Sequence, residues 1–271
     1  MICQVCSHNC NLSEGSTGLC HARTLVDGRV VCSNYGAVTS LALDPIEKKP
    51  LALFHPGSRI LSVGSYGCSM RCMWCQNDSI SRGYVPCDKL SCEELIDIAI
   101  DTKKRGNIGI AYTYNEPSVG YEFVFDCAQL AHKRGLLNVS VTNGMLERGR
   151  FDVLCQYIDA FNIDLKTGDE ERYKKIGGDL KLIETNIESA VRHGVHVELT
   201  TLVVPGFNDD MEDFKRILAF IEGLDPAIPL HITRFFPAGD MKDARPTSLD
   251  TLYSFRDAAT AGLKNVYLGN V

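Results

Sequence analysis

Three cysteines, Cys68, Cys72 and Cys75, fall within eight residues of the stretch Gly67-Cys-Ser-Met-Arg-Cys-Met-Trp-Cys-Gln-Asn77. Thiols at this spacing suit zinc or an iron–sulfur cluster. A structural zinc site closes with four ligands, and Cys87 or Cys92 would have to supply the fourth. A [4Fe-4S] cluster on three thiolates instead leaves one iron without a protein ligand. An open position on a metal is where a substrate or cofactor binds. The setting favours the open cluster. The cysteines directly follow the apolar run Ile60-Leu-Ser-Val63, and bulky Met70, Met73 and Trp74 suit a loop packed over a barrel mouth.

Cys3, Cys6, Cys10 and Cys20 form a second set, spaced C-x-x-C-x-x-x-C-x9-C, with His8 and His21 interleaved and Gly15 and Gly18 in the connecting loop. Four thiols on so short a segment, without a large core of their own, need a metal to hold their fold. A closed tetrahedral zinc site is favoured here, with an auxiliary [4Fe-4S] cluster a close alternative. Cys32, Cys87, Cys92, Cys127 and Cys155 read as small core or surface residues.

Twelve cysteines in 271 residues, with no signal-like start at Met-Ile-Cys-Gln-Val-Cys, point to reduced thiols and a cytoplasmic protein rather than a secreted disulfide scaffold. A net charge of -6 argues against a nucleic-acid binder. No apolar run approaches the roughly 18 residues of a membrane span.

The elements that must position these cysteines read as follows. Residues 1–58 are cysteine- and glycine-rich, with short strand-like pieces such as Arg29-Val-Val-Cys-Ser33, and we place a boundary near Ser58. Residues 59–271 alternate apolar runs with helical patterns. After Ile60–Val63 the strands are Gly109–Thr113, Asn138–Thr142, Ala160–Asp164, Val195–Val204, Pro229–Thr233 and Asn265–Leu268. Between them lie a capping box at Ser91-Cys-Glu-Glu94, a helix opening at Pro117, helices 185–193 and 210–222, and a last helix capped by Thr247-Ser-Leu-Asp250. Strand–helix alternation implies an α/β fold with a parallel sheet, either an incomplete (β/α) barrel or an open doubly wound sheet. In both, the chemistry belongs at the C-terminal strand ends.

C-x-x-x-C-x-x-C after the first strand of such a series resembles the signature of radical S-adenosylmethionine enzymes. The resemblance runs through almost all of residues 59–271 and implies a partial (β/α)6 TIM-like barrel behind a small cysteine-rich N-terminal domain. In that family the three cysteines hold a [4Fe-4S] cluster whose fourth iron chelates S-adenosyl-L-methionine. One electron cleaves the sulfonium to methionine and a 5′-deoxyadenosyl radical, which abstracts hydrogen from the substrate. The chain looks closest to the pyruvate formate-lyase activating enzymes, and among these to the radical enzyme of the AmmeMemoRadiSam system, which is accompanied by similar N-terminal cysteine sets. On that resemblance Tyr114, Asn115 and Glu116, in Tyr112-Thr-Tyr-Asn-Glu-Pro-Ser118, occupy the places of a Gly-Gly-Glu-Pro-like segment that binds the methionyl amino group. Thr142 and Asn143 match an Asp-Thr-Asn-Gly segment without its Asp. Asp164 and Lys166 match an Asp-Leu-Lys segment facing the cofactor, and His231 falls where a cofactor-contacting histidine stands. The resemblance further implies a flavodoxin- or ferredoxin-type electron donor and a protein or peptide substrate, or the same chemistry on a small molecule.

Plainer readings stand beside these. Tyr114 suits a half-buried strand residue, Thr142-Asn143-Gly144 a strand-ending turn, Asp164 with Lys166 an ordinary ion pair, and His231 a structural histidine. On the plainest reading both cysteine sets are structural zinc sites of a non-enzymatic interaction module.

Overall fold

The computed structural model describes residues 1–271. The chain opens with the cysteine-bearing loop and a hairpin of β1 (Arg23–Val26) and β2 (Arg29–Cys32). Asp27 and Gly28 turn it with φ of 48° and 69°, the left-handed pair that matches a two-residue turn to strand twist. β3 (Ala37–Val38) and β4 (Ser40–Pro45) follow, and then β5 (Arg59–Gly64), which feeds the second cysteine loop. After α1 (Asp78–Ser81), β6 (Asp88–Lys89) pairs back onto β3. From there strands and helices alternate: α2 (Cys92–Asp101), β7 (Asn107–Tyr112), α3 (Tyr121–Lys133), β8 (Leu137–Thr142), α4 (Arg148–Leu154) and β9 (Ala160–Asp164). The series ends with α5 (Glu170–Lys175), α6 (Leu180–Arg192), β10 (His196–Val203), α7 (Met211–Leu224), β11 (Leu230–Arg234), α8 (Leu249–Thr260) and β12 (Val266–Gly269).

α2, α7 and α8 start where the sequence says they should, whereas α6 starts at Leu180, five residues before the expected 185. Ser91 and Glu94 close a reciprocal capping box on α2, and the Asp179, Asp210 and Ser248 side chains cap α6, α7 and α8. Pro117 opens a short 3-10 turn, Pro117–Gly120, rather than α3 itself.

The main sheet has the order β12-β11-β10-β9-β8-β7-β5-β4, parallel throughout except for β4 on β5. The parallel strands neighbour one another in chain order and the order never reverses. A doubly wound sheet reverses at a switch point, so this is a partial barrel with the helices on its outer face. β12 makes seven parallel strands, as the strand pattern of the sequence has it and one more than the (β/α)6 barrel that the resemblance implies. The expected division near Ser58 does not coincide with the sheet's edge, because β4, on its N-terminal side, runs antiparallel to β5 with Ser40 opposite Gly64 and Asp44 opposite Ile60.

The segment between β4 and β5 closes the end of the barrel away from the cysteines. Ile46, Leu51 and Phe54 bury against Ile60, Ala111, Val139 and Ala160. Polar bonds hold the same segment across the interior: Lys49 Nζ lies 2.9 Å from Asp44, Asn162 donates to the Pro50 carbonyl at 2.7 Å, and the Ala52 and Leu53 amides donate to Glu198 at 2.8 Å each. Glu198 is fully buried. Burial alone would raise its carboxyl, but His196, His231 and the two amides outweigh it and hold the pKa at about 2. A carboxyl depressed in the folded state stabilises the fold above the unfolded pKa of about 4.3 and loses that contribution as pH falls towards 2. Glu198→Gln is therefore expected to lower stability at neutral pH by about 2–3 kcal/mol. Its difference from the unsubstituted chain should shrink between pH 4.5 and 2.5, as read by denaturant titration at each pH. A constant difference across that window would contradict the assignment.

Candidate active site at the barrel mouth

The cysteine loop leaves β5 and is pinned on every side by loops at the C-terminal ends of the other strands. Asn115, after β7, accepts from the Ser65 amide at 2.9 Å and donates to the Gly67 carbonyl at 3.0 Å. Asn77 donates to the Tyr114 carbonyl at 2.7 Å. Trp74 packs on Phe207 from the loop after β10, ring centroids 4.4 Å apart. From the loop after β11, the Asp240 amide donates to the Met73 carbonyl at 2.7 Å, and the Asp240 carboxylate pairs with Arg82 at 2.6 Å. Gly239, at φ 56°, lets this last strap approach: a Cβ there would stand 2.6 Å from the Met73 carbonyl oxygen.

Within the loop, Cys68 Sγ accepts from the Met70 amide at 3.4 Å and from Asn143 Nδ2 at 3.7 Å, and Asn143 Nδ2 also donates to Ser69 Oγ at 3.0 Å. Burial pushes the Cys68 thiol well up, with the Glu116 carboxylate adding to the shift. Burial likewise raises Cys72, while the Lys166 ammonium pulls the other way. Such thiols ionise when a metal takes the proton's place. The donor set fits a cluster, because three sulfurs share one loop, N–H groups point at one of them, and a half-buried cation stands beside another. The candidates for a fourth thiol ligand do not join them. Cys92 Sγ lies 2.9 Å from Cys127 Sγ, and Cys87 lies beside Tyr66.

Glu116, Thr142 and Asn143 come together as expected, and in a form the sequence does not announce. The Glu116 carboxylate is 3% exposed, has no cationic partner, and accepts from the Thr142 hydroxyl and the Asn143 amide at 2.7 Å each and from the Ser118 amide at 2.9 Å. Burial pushes this carboxyl up, and the three donors oppose the shift. Asn143 thus links the carboxylate on one side to Cys68 and Ser69 on the other. Asp164 and Lys166 do form an ion pair, at 2.7 Å, and it stands at the mouth beside Cys72. Burial works against the Lys166 ammonium, but the Asp164 carboxylate and the Cys72 thiolate outweigh it and raise its pKa.

Two expected cofactor contacts lie elsewhere. Tyr114, strained at φ 71°, turns its side chain down the barrel to donate to Asp44 at 2.7 Å, with Lys49 over its ring at 4.9 Å. His231 sits on the second residue of β11 and bonds Glu198 through Nε2 at 2.6 Å, in the network that holds the floor segment. Its ring serves the fold there, because a buried carboxylate at that depth needs a partner. Sequence reasoning missed Asn115's hold on the loop as distinct from the cofactor, and it missed Asp44, Lys49, Arg82, Gly239 and Asp240. The only signal for Asp44 and Lys49 was that each precedes a proline, Pro45 and Pro50; nothing in the sequence pattern marked Arg82, Gly239 or Asp240.

The N-terminal cysteines lie directly against this loop. His8 Nε2 is 2.6 Å from the Ser69 carbonyl, Arg71 donates to the Leu19 carbonyl, and a Cβ on Gly67 (φ 92°) would stand 2.4 Å from the Cys20 carbonyl oxygen. Cys3, Cys6, Cys10 and Cys20 line a single cavity. Burial raises Cys20 and pushes Cys6 up to about 12, and nearby thiols of the set add to both.

Residues 62–221 match the Radical SAM superfamily. An uncharacterized protein of Methanocaldococcus jannaschii is 40% identical over 276 residues, spanning 99% of this chain and 81% of that protein. A GTP 3',8-cyclase of Peptoclostridium acidaminophilum is 30% identical over 157 residues, 55% of this chain and 48% of the cyclase. A 4-hydroxyphenylacetate decarboxylase activating enzyme of Clostridioides difficile is 25% identical over 174 residues, 62% of this chain and 55% of that enzyme. The chain therefore spans about half the length of each of these two enzymes.

Proposed function

The chain belongs to the Radical SAM superfamily, and on that premise we propose that it cleaves S-adenosyl-L-methionine reductively and abstracts hydrogen from a protein or peptide, as a glycyl-radical activating enzyme does. A [4Fe-4S] cluster on Cys68, Cys72 and Cys75 would supply the electron that cleaves the sulfonium. The observation that carries the reading is the three-thiol loop at the C-terminal mouth of the barrel, with Cys92 engaged by Cys127 rather than available as a fourth ligand. A closed zinc site would need that fourth donor.

The chain's own residues have definable parts. Asn143 steadies the Cys68 thiolate and Ser69, and takes its own orientation from Glu116. Lys166 balances thiolate charge at Cys72 and is itself held by Asp164. The strap of Gly239 and Asp240, with Trp74 on Phe207, holds the loop in place. The activating-enzyme relative supports a protein substrate and the cyclase relative a small one. We favour the protein, together with a flavodoxin- or ferredoxin-type donor and a cytoplasmic setting. No helix is long and apolar enough to cross a membrane.

The test is anaerobic. The iron- and sulfide-loaded chain, given S-adenosylmethionine and a strong one-electron reductant, should release methionine and 5′-deoxyadenosine in equal amounts. A fully loaded protein that forms neither would overturn the reading. Deuterium carried into 5′-deoxyadenosine from deuterated candidate proteins, but not from deuterated nucleotides, would separate the two substrate classes.

A further inference from the structure

We propose that Cys92 and Cys127 are a redox-active dithiol, which hydrogen peroxide oxidises to a disulfide between α2 and α3. The proposal does not rest on S-adenosylmethionine cleavage, since neither thiol belongs to the two cysteine sets.

The first observation is the meeting of the two sulfurs. Of the cysteines outside the two sets, Cys155 caps α4, Cys32 donates to Asn34 Oδ1 at 3.1 Å, and Cys87 lies beside Tyr66. Cys92 and Cys127 instead meet each other, with Cys127 Sγ donating to Cys92 Sγ at 2.9 Å. They stand 35 residues apart in the chain, so the fold and not sequence neighbourhood brings them together. Cys92 is the first residue of α2, and Cys127 lies within α3. A disulfide holds its sulfurs about 2.05 Å apart, so bond formation asks for an approach of only about 0.9 Å.

The second observation is that the two thiols are unequal. Cys92 follows the Ser91 cap, where the amides of the first helical turn favour a negative charge. The Cys127 S–H bond acts in the same sense and sets the Cys92 thiol below its ordinary value, against the effect of burial. Cys127 is fully buried, and burial raises it. The Cys92 proton also has a way out. The Tyr35 hydroxyl donates to Asp126 at 2.7 Å and lies 3.8 Å from Cys92 Sγ. With the Tyr35 hydrogen on Asp126, the Cys92 thiol is the donor in that contact. A hydrogen-bonded line therefore runs from Cys127 through Cys92 and Tyr35 to an exposed carboxylate. Tyr35 is 39% exposed and Cys92 8%, so a small oxidant reaches Cys92 along this edge and not Cys127.

The chemistry balances in two steps. The Cys92 thiolate attacks one peroxide oxygen, the O–O bond breaks, and the departing hydroxide takes a proton to leave as water and a Cys92 sulfenic acid. The Cys127 sulfur then attacks the Cys92 sulfur, and the Cys127 proton leaves with the hydroxyl as a second water. The two thiols lose two electrons and two hydrogens, and the peroxide gains both.

The test uses the full chain, loaded anaerobically with iron and sulfide and given graded hydrogen peroxide. Each sample is unfolded in iodoacetamide and digested without reductant for mass spectrometry. The peptides bearing Cys92 and Cys127 should appear joined, and separate again on reduction. In Cys127→Ser, Cys92 should stop at the sulfenic acid and be trapped by dimedone. In Cys92→Ser, Cys127 should remain a free thiol that carries no dimedone. Recovery of both cysteines alkylated, at doses that oxidise other cysteines of the chain, would overturn the proposal. Dimedone on Cys127 in Cys92→Ser would overturn the part given to Cys92 as the attacking thiol. Should either variant fail to fold, the joined peptide of the unsubstituted chain decides, present for the proposal and absent against it.

Discussion

Cys72→Ala is expected to bring 5′-deoxyadenosine formation down to background while the barrel stays folded. On the proposed function the sulfur is one of three that would tie the cluster to the protein, and two thiolates on one loop do not hold it. Stability should change by no more than about 1 kcal/mol, because the thiol makes no hydrogen bond of its own and its loop is pinned by other residues. Asn115 holds the start of the loop, Arg71 donates its amide to the Ile176 carbonyl at 2.8 Å, and the Asp240 amide holds Met73. Lys166 loses a thiolate neighbour but keeps Asp164 at 2.7 Å, so no charge is stranded. Iron content and the thermal melt measure the two halves separately. Full cleavage activity in Cys72→Ala would remove the three-thiol cluster from the mechanism altogether. Cys155→Ala is the control: that cysteine caps α4 and belongs to neither set, so its loss should leave cleavage unchanged.

What the sequence made legible follows from the range of the forces involved. The strands Asn138–Thr142 and Ala160–Asp164, the capping box at Ser91 and the three-cysteine loop are local patterns, and each stands where its pattern put it. The floor segment was not legible. Residues 44–57 read as turns because Pro45, Pro50, Pro56 and Gly57 punctuate them. What fixes them is remote in the chain: Glu198 reaches Ala52 and Leu53 across about 145 residues. β4 was missed for a related reason, since a short antiparallel edge strand beside a parallel sheet carries no periodicity that distinguishes it from a loop. His231 and Tyr114 were assigned to the cofactor by the family's order of motifs. Order along the chain does not report which way a side chain turns, and both turn down the barrel onto buried carboxylates. Asp164 and Lys166 form the ion pair of the plainer reading, and the pair stands beside Cys72.

Glu116→Ala is expected to have the largest effect of any substitution outside the cysteines. The carboxylate takes three hydrogen bonds in a buried place with no cation near enough to share its charge. Removing it strands the Ser118 and Asn143 amides and the Thr142 hydroxyl, each at roughly 1–3 kcal/mol. Some relaxation is certain, so a total loss of about 3–5 kcal/mol is the expected result. In a chain of this size that lowers the melting temperature by about 6–15 °C. Glu116→Gln separates shape from charge. It preserves volume but turns one accepting oxygen into a donor that faces either the Asn143 amide or the Thr142 and Ser118 donors, so it should still cost about 2–3 kcal/mol. The effect on function runs through Asn143, whose side chain meets Cys68 and Ser69. With its anchor gone, the loaded cluster should persist, because the three thiols remain, while cleavage of S-adenosylmethionine falls by about 10–100-fold, the usual cost of losing a group that orients a metal's ligands. Iron content, melting temperature and the rate of 5′-deoxyadenosine release, measured on the same preparation, test each step. A Glu116→Gln protein that melts and turns over like the unsubstituted chain would show that neither the charge of this carboxylate nor its hold on Asn143 matters to the site.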